Sequence, residues 1–534
     1  MNTYARTVQP KSIKIISVDR PYSFFNLVDS DFGKLTSLRR ILSQARLAGV
    51  RTTVIEELQP SVDLSEENED IRTVYPQAGE MPAYRLSFFS KSFSSEGELA
   101  SISSDEFLGY AVVKNNSIKG VKADLHWRIY ESVIKSSKRP NNYIHCKQKW
   151  KCCVAGHPFE LSGSLYAQQN NITNVCAHVA IRTAAATYHK KGDMSYREMN
   201  QIVGIDHKNK FATPGLSTGE MVEILSTVGA KCLVADYSVA DVRAPPFSKY
   251  LYGSIESGFP VIIVFGTTKA ADDYHAIPIF GHTFNEDIWV PRADYSYFKV
   301  GKGTVYIPSD SWVSMFVGHD DNWGSNFCIP RRYLQSKRTC TDFGGEPEFC
   351  PQDKSGVAHV ISTFPKNVLL DPIRAEVICA DYLFTIVPLS EAVCGEWGAR
   401  LVNYVLGRRS VLRTLLISSS EYVSHLSRVS DWEGRSIDKL QIGDLREKLK
   451  DSLYWLVEVS VPELYPTNRR KLGEILLRSD IPASPKRDLG QFMLARIPGN
   501  FVFYDRGEAS NPSYKFVPTA IQTHVELFGC EEKQ

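Results

Sequence analysis

The period of the apolar positions changes repeatedly along the chain, and each change marks a switch between strand and helix. Between residues 12 and 56 two apolar runs, IKIISV and RTTVIEEL, flank a stretch with Leu35, Leu38, Ile41, Leu42 and Ala45 at helical spacing, which predicts a small α/β unit. Strands are predicted at RLSFF and FLGYAVVK. The acidic DLSEENED (residues 63–70) and the Ser-rich KSFSSEGELASISSDE (residues 91–106) read as surface loops. YIHCKQKWKCCVAGHPF, residues 143–159, alternates as a strand pair does.

A helix is predicted from about Cys176, capped by Thr173 or Asn174, followed by helices in SYREMNQIVG and STGEMVEILSTVG. Ser217 or Thr218 caps the last of these and Gly229 ends it. Strand AKCLVADY, a helical piece at SKYLYGSIESG and the buried strand PVIIVFG come next. DYHAIPIFGHTF and IWVPRADYSYF are expected to form a hairpin about a turn at residues 285–287. Residues 300–365, rich in Gly, Pro, Ser and Asp, read as long loops or an insertion. Beyond Arg374 the pattern is mixed: strand EVICADYLFTIVPL, helix EAVCGEWGARLVNYVLG, then strands at VLRTLLISSS, YWLVEVSV, LGEILL and NFVFYD. No repeat of fixed period is present.

Composition narrows the class. The chain has 534 residues, 43% hydrophobic and 23% charged, an ordinary globular mixture too long for one usual domain. Lys and Arg number 62 against 60 Asp and Glu, a net charge of +2, so no global field favours nucleic acid or an anionic membrane. The N-terminal MNTYARTVQPKSIKIISVDRP lacks the apolar core of a signal peptide, and runs such as PVIIVFG are too short to span a bilayer. A soluble, cytoplasmic protein is expected. Eleven cysteines, an odd number scattered through a large chain, argue for free thiols in a reducing compartment.

One cysteine stands apart. In TNVCAHVAIRTAAATYH, Cys176 falls in the first turn of a predicted helix, where unpaired N–H groups and the helix dipole favour a thiolate. Packing is the usual fate of a cysteine so placed. Thiol catalysis also needs an imidazole base and a group to orient it. His275 opens a strand downstream, and in the expected hairpin Asp294 lies on the same face, diagonal to it, with Asn285 and Asp287 as fallback orienters. His178, two residues past Cys176, points round the helix, and His282 lies on the opposite face of the His275 strand.

A cysteine at a helix start, further helices, a "G-x-P" apolar strand and a histidine-led hairpin carrying an acid resemble the papain-like cysteine peptidases. The likeness is greatest to their compact bacterial branches, such as the bacteriocin-leader peptidases, and covers residues 160–300. The resemblance implies that a Gln or Asn shortly before the cysteine helps form an oxyanion hole. YAQQNNITNVC offers Gln168, Gln169 and Asn170; Asn170 stands where the family's glutamine commonly does, and Gln169 is the choice made here. The family's C-G-S-C-W signature is absent.

Other clusters compete. His145, Cys146, Cys152, Cys153 and His157 are zinc-type ligands at no recognised spacing. Lys147, Lys149 and Lys151 around Trp150 form a basic alternation more in keeping with a solvated strand face than with nucleic acid. VGHDDNWGS groups His319, Asp320 and Asp321 as a hard-metal site or an active-site rim.

The sequence thus predicts an α+β protein. A papain-like core of N-terminal helices plus antiparallel sheet (residues 136–365, with a loop insertion after about 300) stands between an N-terminal α/β domain (1–135) and a C-terminal α+β domain (366–534). It predicts a cysteine hydrolase, most simply a protease, with Cys176 as nucleophile, His275 as base, Asp294 as orienter and Gln169 in the oxyanion hole, and no cofactor or metal. Expected partners are a protein or peptide substrate and a regulatory protein acting through the flanks, with no membrane and no nucleic acid. The competing prediction is a catalytically silent scaffold on a similar core.

Overall fold

The computed structural model describes residues 10–18, 21–116, 118, 127–135, 142–190, 192–209, 215–238, 246–266, 274–289, 298–300, 304–331, 356–387, 395–407, 409–483, 489–505 and 513–530. The chain begins with β1 (Ser12–Ser17), α1 (Pro21–Phe32), α2 (Thr36–Leu47), β2 (Thr52–Leu58), α3 (Val62–Val74), β3 (Ala83–Phe89), α4 (Glu96–Leu99), β4 (Phe107–Asn115) and β5 (Trp127–Ile134). The five strands pair in chain order as an antiparallel meander. Alternate residues face opposite ways, and both faces are covered. Ile55, Leu86, Ala111 and Val113 pack with Phe24, Val28, Leu38, Ile41 and Leu42 of α1 and α2. On the other face Val54, Tyr110, Val112 and Tyr130 share a core with Trp150, Cys152, Phe159 and Leu161.

Those last four residues belong to a hairpin. After the two-residue β6 (Asn142–Tyr143), β7 (Lys149–Val154) and β8 (His157–Ser162) pair antiparallel. They are joined by Ala155 (φ 46°) and Gly156 (φ 83°), the two left-handed residues that a type I′ turn requires. Ala155 is held in that conformation by its N–H, which donates to buried Glu56 at 2.8 Å.

The region around the predicted nucleophile runs through α5 (Cys176–Ala185), α6 (Tyr196–Ile202), α7 (Thr218–Thr227), β9 (Ala230–Asp236), α8 (Phe247–Glu256), β10 (Val261–Gly266) and β11 (Tyr274–Phe284). The chain continues through β12 (Phe298–Val300) and β13 (Thr304–Pro308) into β14 (Val313–Asp320), β15 (Gly324–Pro330) and β16 (Val357–Pro365). One sheet takes the order β15-β14-β11-β10-β16-β9, with β6 also on β11. Alanines 177, 180, 184 and 185 let α5 approach closely, and they share a core with Met221, Ile224 and Leu225 of α7 and with Ile262, Val264, Ala276 and Ile361 of the sheet. Ser217 starts α7 with a reciprocal cap to Glu220.

Residues 91–106, expected as a loop, contain the one-turn α4, and three larger elements also differ from expectation. Residues 63–70 are helix α3, because Ser61 accepts the Leu64 N–H and the acidic run turns Leu64, Glu67, Asn68 and Ile71 inward. The supposed insertion contains β13 to β16, and β14 and β16 lie inside the sheet that carries His275. The stretch EVICADYLFTIVPL is helical: α9 (Pro372–Ile386) is capped by Asp371 and started by Pro372. Its β-branched residues suggest a strand, but Ile373, Cys379, Ala380, Leu383 and Ile386 are buried at helical spacing.

Clustering of the chain gives two compact units, one of residues 1–244, 258–281 and 316–365, the other of 245–257, 282–315 and 366–534. The second is built on eight strands: β12, β13, β17 (Val411–Ser418), β18 (Leu453–Ser460), β20 (Gly473–Arg478), β21 (Phe492–Ile497), β22 (Asn500–Asp505) and β23 (Ser513–Pro518), with the short β19 (Arg470–Lys471) preceding β20. Its interior holds a charged network in which Arg413 pairs with Glu256 (2.5 Å) and Glu458 (2.7 Å), and Lys471 pairs with Glu458 and Glu474. With mixed helices and largely antiparallel sheets, the architecture is α+β. Among the described residues no helix is long and apolar enough to cross a membrane.

Candidate functional site

Cys176 is the first residue of α5, as its sequence context predicts, but the cap is Val175 (φ −126°, ψ 177°) rather than Thr173 or Asn174. A valine has no acceptor to offer, so the first-turn N–H groups have no side-chain cap. The potential cap residues are used upstream instead. The Asn170 side-chain oxygen accepts the N–H groups of Ile172 (2.9 Å), Thr173 (2.8 Å) and Asn174 (3.2 Å), which shapes the loop that delivers Cys176. His178 is fully buried, with Nε2 on Asn200 Oδ1 at 2.8 Å. Burial drives its pKa down to about 4, and its Nδ1 accepts the Val175 N–H at 3.4 Å, so it packs and holds the helix start rather than serving the thiol.

His275 stands near the start of β11 opposite Phe265 of β10, whose ring meets the imidazole edge-on at 5.4 Å. The Cys176 thiol and this imidazole line the same cleft. Nε2 faces two carboxylates, Asp320 Oδ2 and Asp321 Oδ1, each 3.4 Å away. Burial opposes a charge on His275, but the neighbouring Asp320, Cys176 and Asp321 outweigh it and raise the pKa to about 10.

The two acids are not equivalent. Asp320 accepts the N–H groups of Asn322 (2.8 Å) and Trp323 (3.0 Å) on Oδ1, which leaves Oδ2 for the imidazole. Burial would raise its pKa, yet His275 and these N–H groups hold it below the ordinary value. Asp321, with a side chain only 2% exposed, has no well-aligned donor on either oxygen. The N–H groups of Asp321 and Asn322 only ease its charge, and burial, added to by Asp320, pushes its carboxyl up to about 6 against the attraction of His275.

A cleft of about 1020 Å³ opens over Cys176, His275 and Asp320, at the upper end of the usual range for ligand sites. Gln169 lines it. Gln168 does not: its side-chain oxygen Oε1 accepts from Ser37 Oγ (3.0 Å) and from the Ile129 N–H (2.8 Å). Asn170 is committed to its own loop, so of the three candidate amides only Gln169 lines the cleft with Cys176. Tyr274, Phe265, Met221, Leu216 and Trp323 make the remaining wall largely apolar. Trp323 is 66% exposed and stacks on Phe327. Beside it Gly324 takes φ 112°, and a Cβ there would lie 2.7 Å from Arg40 of α2. Arg40 donates to the carbonyls of Ser325 (2.6 Å) and Asn326 (2.8 Å). The N-terminal helices therefore brace the rim of the cleft.

No protein-family model, curated protein or solved structure matches this chain. Function must then be argued from the site itself.

Cys176, His275 and Gln169 share one cleft. Asp294 lies outside the described residues. Asn285 and Asp287 cap their own turn, accepting the N–H groups of Asp287 and Trp289. Among the described residues the strands beside β11 are β6, β10 and β14, and the described end of the expected second hairpin strand, Phe298–Val300, pairs with β13 instead. The acids at the imidazole come from the end of β14 and the turn after it. The signal was present in VSMFVGHDDNWG, an alternating run that ends in an Asp able to accept two following N–H groups. His319, next to them, is buried with Nε2 near the Ser164 carbonyl (3.2 Å), and burial pushes its pKa down to about 3.

Proposed function

We propose that this chain is a cysteine-dependent hydrolase with a papain-like core, cleaving a peptide, isopeptide or related amide bond in a protein or peptide substrate. The observation that carries this reading is a thiol at a helix N-terminus that shares one open cleft with an imidazole backed by a carboxylate. Each part has a step. Cys176 Sγ attacks the carbonyl carbon as the thiolate, its proton held by His275, and the C–N bond breaks as His275 passes that proton to the leaving amine. A water molecule, deprotonated by the same imidazole, then hydrolyses the thioester.

Asp320 takes the orienting role: with Nε2 turned to the acid, Nδ1 is the nitrogen left for the thiol. The Cys176 N–H and the Gln169 amide are the donors for the oxyanion. The apolar cleft wall favours an uncharged side chain beside the scissile bond.

The test is thiol chemistry. Alkylation by iodoacetamide, followed cysteine by cysteine from pH 5 to 9, should find Cys176 fastest near neutrality, and His275→Ala should remove the advantage. If Cys176 reacts no faster than the other thiols and a peptide library stays uncut, the chain is a silent scaffold and not an enzyme.

A further inference from the structure

The site holds one acid more than hydrolysis uses. Asp320 is enough to orient His275, yet Asp321 also approaches the same Nε2 at 3.4 Å from a side chain that is 2% exposed. Neither Asp321 oxygen, nor His275 Nε2, has an aligned hydrogen-bond partner. Among the described residues no Lys or Arg forms an ion pair with Asp320 or Asp321. A second His–acid cluster in the chain shows the contrast: His425, Glu458 and Glu474 also converge, but the Lys471 ammonium sits among them, 2.9 Å from His425 Nε2 and 2.5 Å from Glu474.

The spacing at His275 suits an ion better than a hydrogen bond. With ligand bonds of about 2.0–2.1 Å, a tetrahedral zinc site has ligand-to-ligand edges of about 3.3–3.4 Å. Both imidazole-to-carboxylate distances are 3.4 Å, and all three donor atoms lie within 4.8 Å of one another. One imidazole nitrogen with two carboxylate oxygens is a donor set for zinc or manganese rather than for magnesium or calcium. His275 and Asp320 line the cleft, so an ion has an entry path and room for a water ligand.

We propose that His275, Asp320 and Asp321 bind a divalent transition-metal ion, zinc or manganese, and that the bound ion switches the Cys176 thiol off. The switch rests on the cysteine-hydrolase reading; the ion site does not. Binding displaces one proton from Nε2 to solvent. The ring that keeps its Nδ1 proton is then neutral, so the imidazolium that would hold Cys176 as thiolate is gone. A metal-bound imidazole is also a far weaker acid than imidazolium, which leaves the departing amine without a donor. No covalent bond changes, and a chelator reverses the effect.

The experiment titrates the full-length Cys176→Ser chain with zinc chloride and with manganese chloride by calorimetry, in two buffers of different ionisation enthalpy. The same chain carrying Asp321→Asn, and separately His275→Ala, is titrated alongside. Thiols elsewhere contribute equally to all three, and circular dichroism shows whether each is folded. The expected result is one site, with about one proton released per ion, that is weakened more than tenfold or lost in both variants. Uptake identical in the three chains overturns the site. In the unsubstituted chain one equivalent of ion should slow Cys176 alkylation at least tenfold, and EDTA should restore it. Ion binding without slower alkylation overturns the switch. Failure of the hydrolase reading has a different signature, slow Cys176 alkylation even in EDTA.

Discussion

The loop that carries Cys176 depends on one buried carboxylate in a helix far away in sequence, so Glu67→Gln should disturb both stability and the thiol. Glu67 Oε1 accepts Asn170 Nδ2 at 2.8 Å, pairs with Arg128 and lies 3.3 Å from Lys114 Nζ, all three side chains of this ion cluster being 7% exposed or less. Burial would raise the Glu67 pKa, but the charges of Arg128 and Lys114 and the Asn170 hydrogen bond bring it down to about 2 from 4.5, worth about 3 kcal/mol at 1.36 kcal/mol per unit. Lys114 is lowered too, but for a cation this is a cost: burial takes it to about 8 from 10.5 despite Glu67. The two shifts differ because Arg128 shares the one oxygen and repels the ammonium, so the triad favours the carboxylate and strains the lysine.

Removing the only carboxylate of this triad leaves two buried cations, and a loss of about 3–5 kcal/mol is expected from urea unfolding at pH 7. Adding Lys114→Met should recover at least about 2 kcal/mol of it, since one stranded cation goes. Both shifts make stability rise with pH, in separate windows. The Glu67 contribution is present above about pH 4.5 and disappears as pH falls toward 2. Because folded Lys114 binds fewer protons than unfolded Lys114 between pH 8 and 10.5, stability rises with pH across that window, and Lys114→Met should abolish the rise. With the charge on the Asn170 acceptor gone, iodoacetamide should also lose part of its preference for Cys176. A Glu67→Gln chain that loses less than about 1 kcal/mol, with Cys176 alkylation unaltered, would refute the coupling.

The remaining predictions concern the cleft. His275 has a folded pKa of about 10, above its ordinary 6.5, so its ion-pair contribution is full below pH 6.5 and vanishes as pH rises through 10; thermal melts of His275→Ala should lack that alkaline loss. Gln169→Ala should lower kcat on a cleaved peptide by about 10²–10³ with little change in stability, whereas Asn170→Ala, which strips three N–H partners from the loop, should lower the melting temperature first. Trp323→Ala should change stability by less than about 0.5 kcal/mol, as expected for an exposed side chain, while raising KM for peptides with an apolar residue at the scissile bond. Equal kcat/KM for wild type and Trp323→Ala across such peptides would remove the tryptophan from the binding wall.

Local rules made much of this legible. The caps at Ser217 and the stop at Gly229, the apolar strand at Val261–Gly266 and the helix start at Cys176 are short-range matters of periodicity and capping, settled within a turn or two of chain. They go wrong where a local preference is overridden. The β-branched run in Pro372–Ile386 becomes helix because its buried residues recur every three to four positions, and the acidic Val62–Val74 does so because its Glu67 has buried cations to meet. Tertiary burial, not propensity, decides both.

The division is clearest at the site. The sequence alone determined that a thiol stands at a helix N-terminus, that a histidine opens a strand a hundred residues later, and that an amide precedes the thiol, because each is a statement about one segment. Which acid meets the histidine depends on which strand lies beside β11, a pairing set by sheet order between segments 40 residues apart. Only the tertiary structure brings Asp320 and Asp321 to a single imidazole nitrogen, because strand pairing over that distance leaves no mark in the periodicity of either strand.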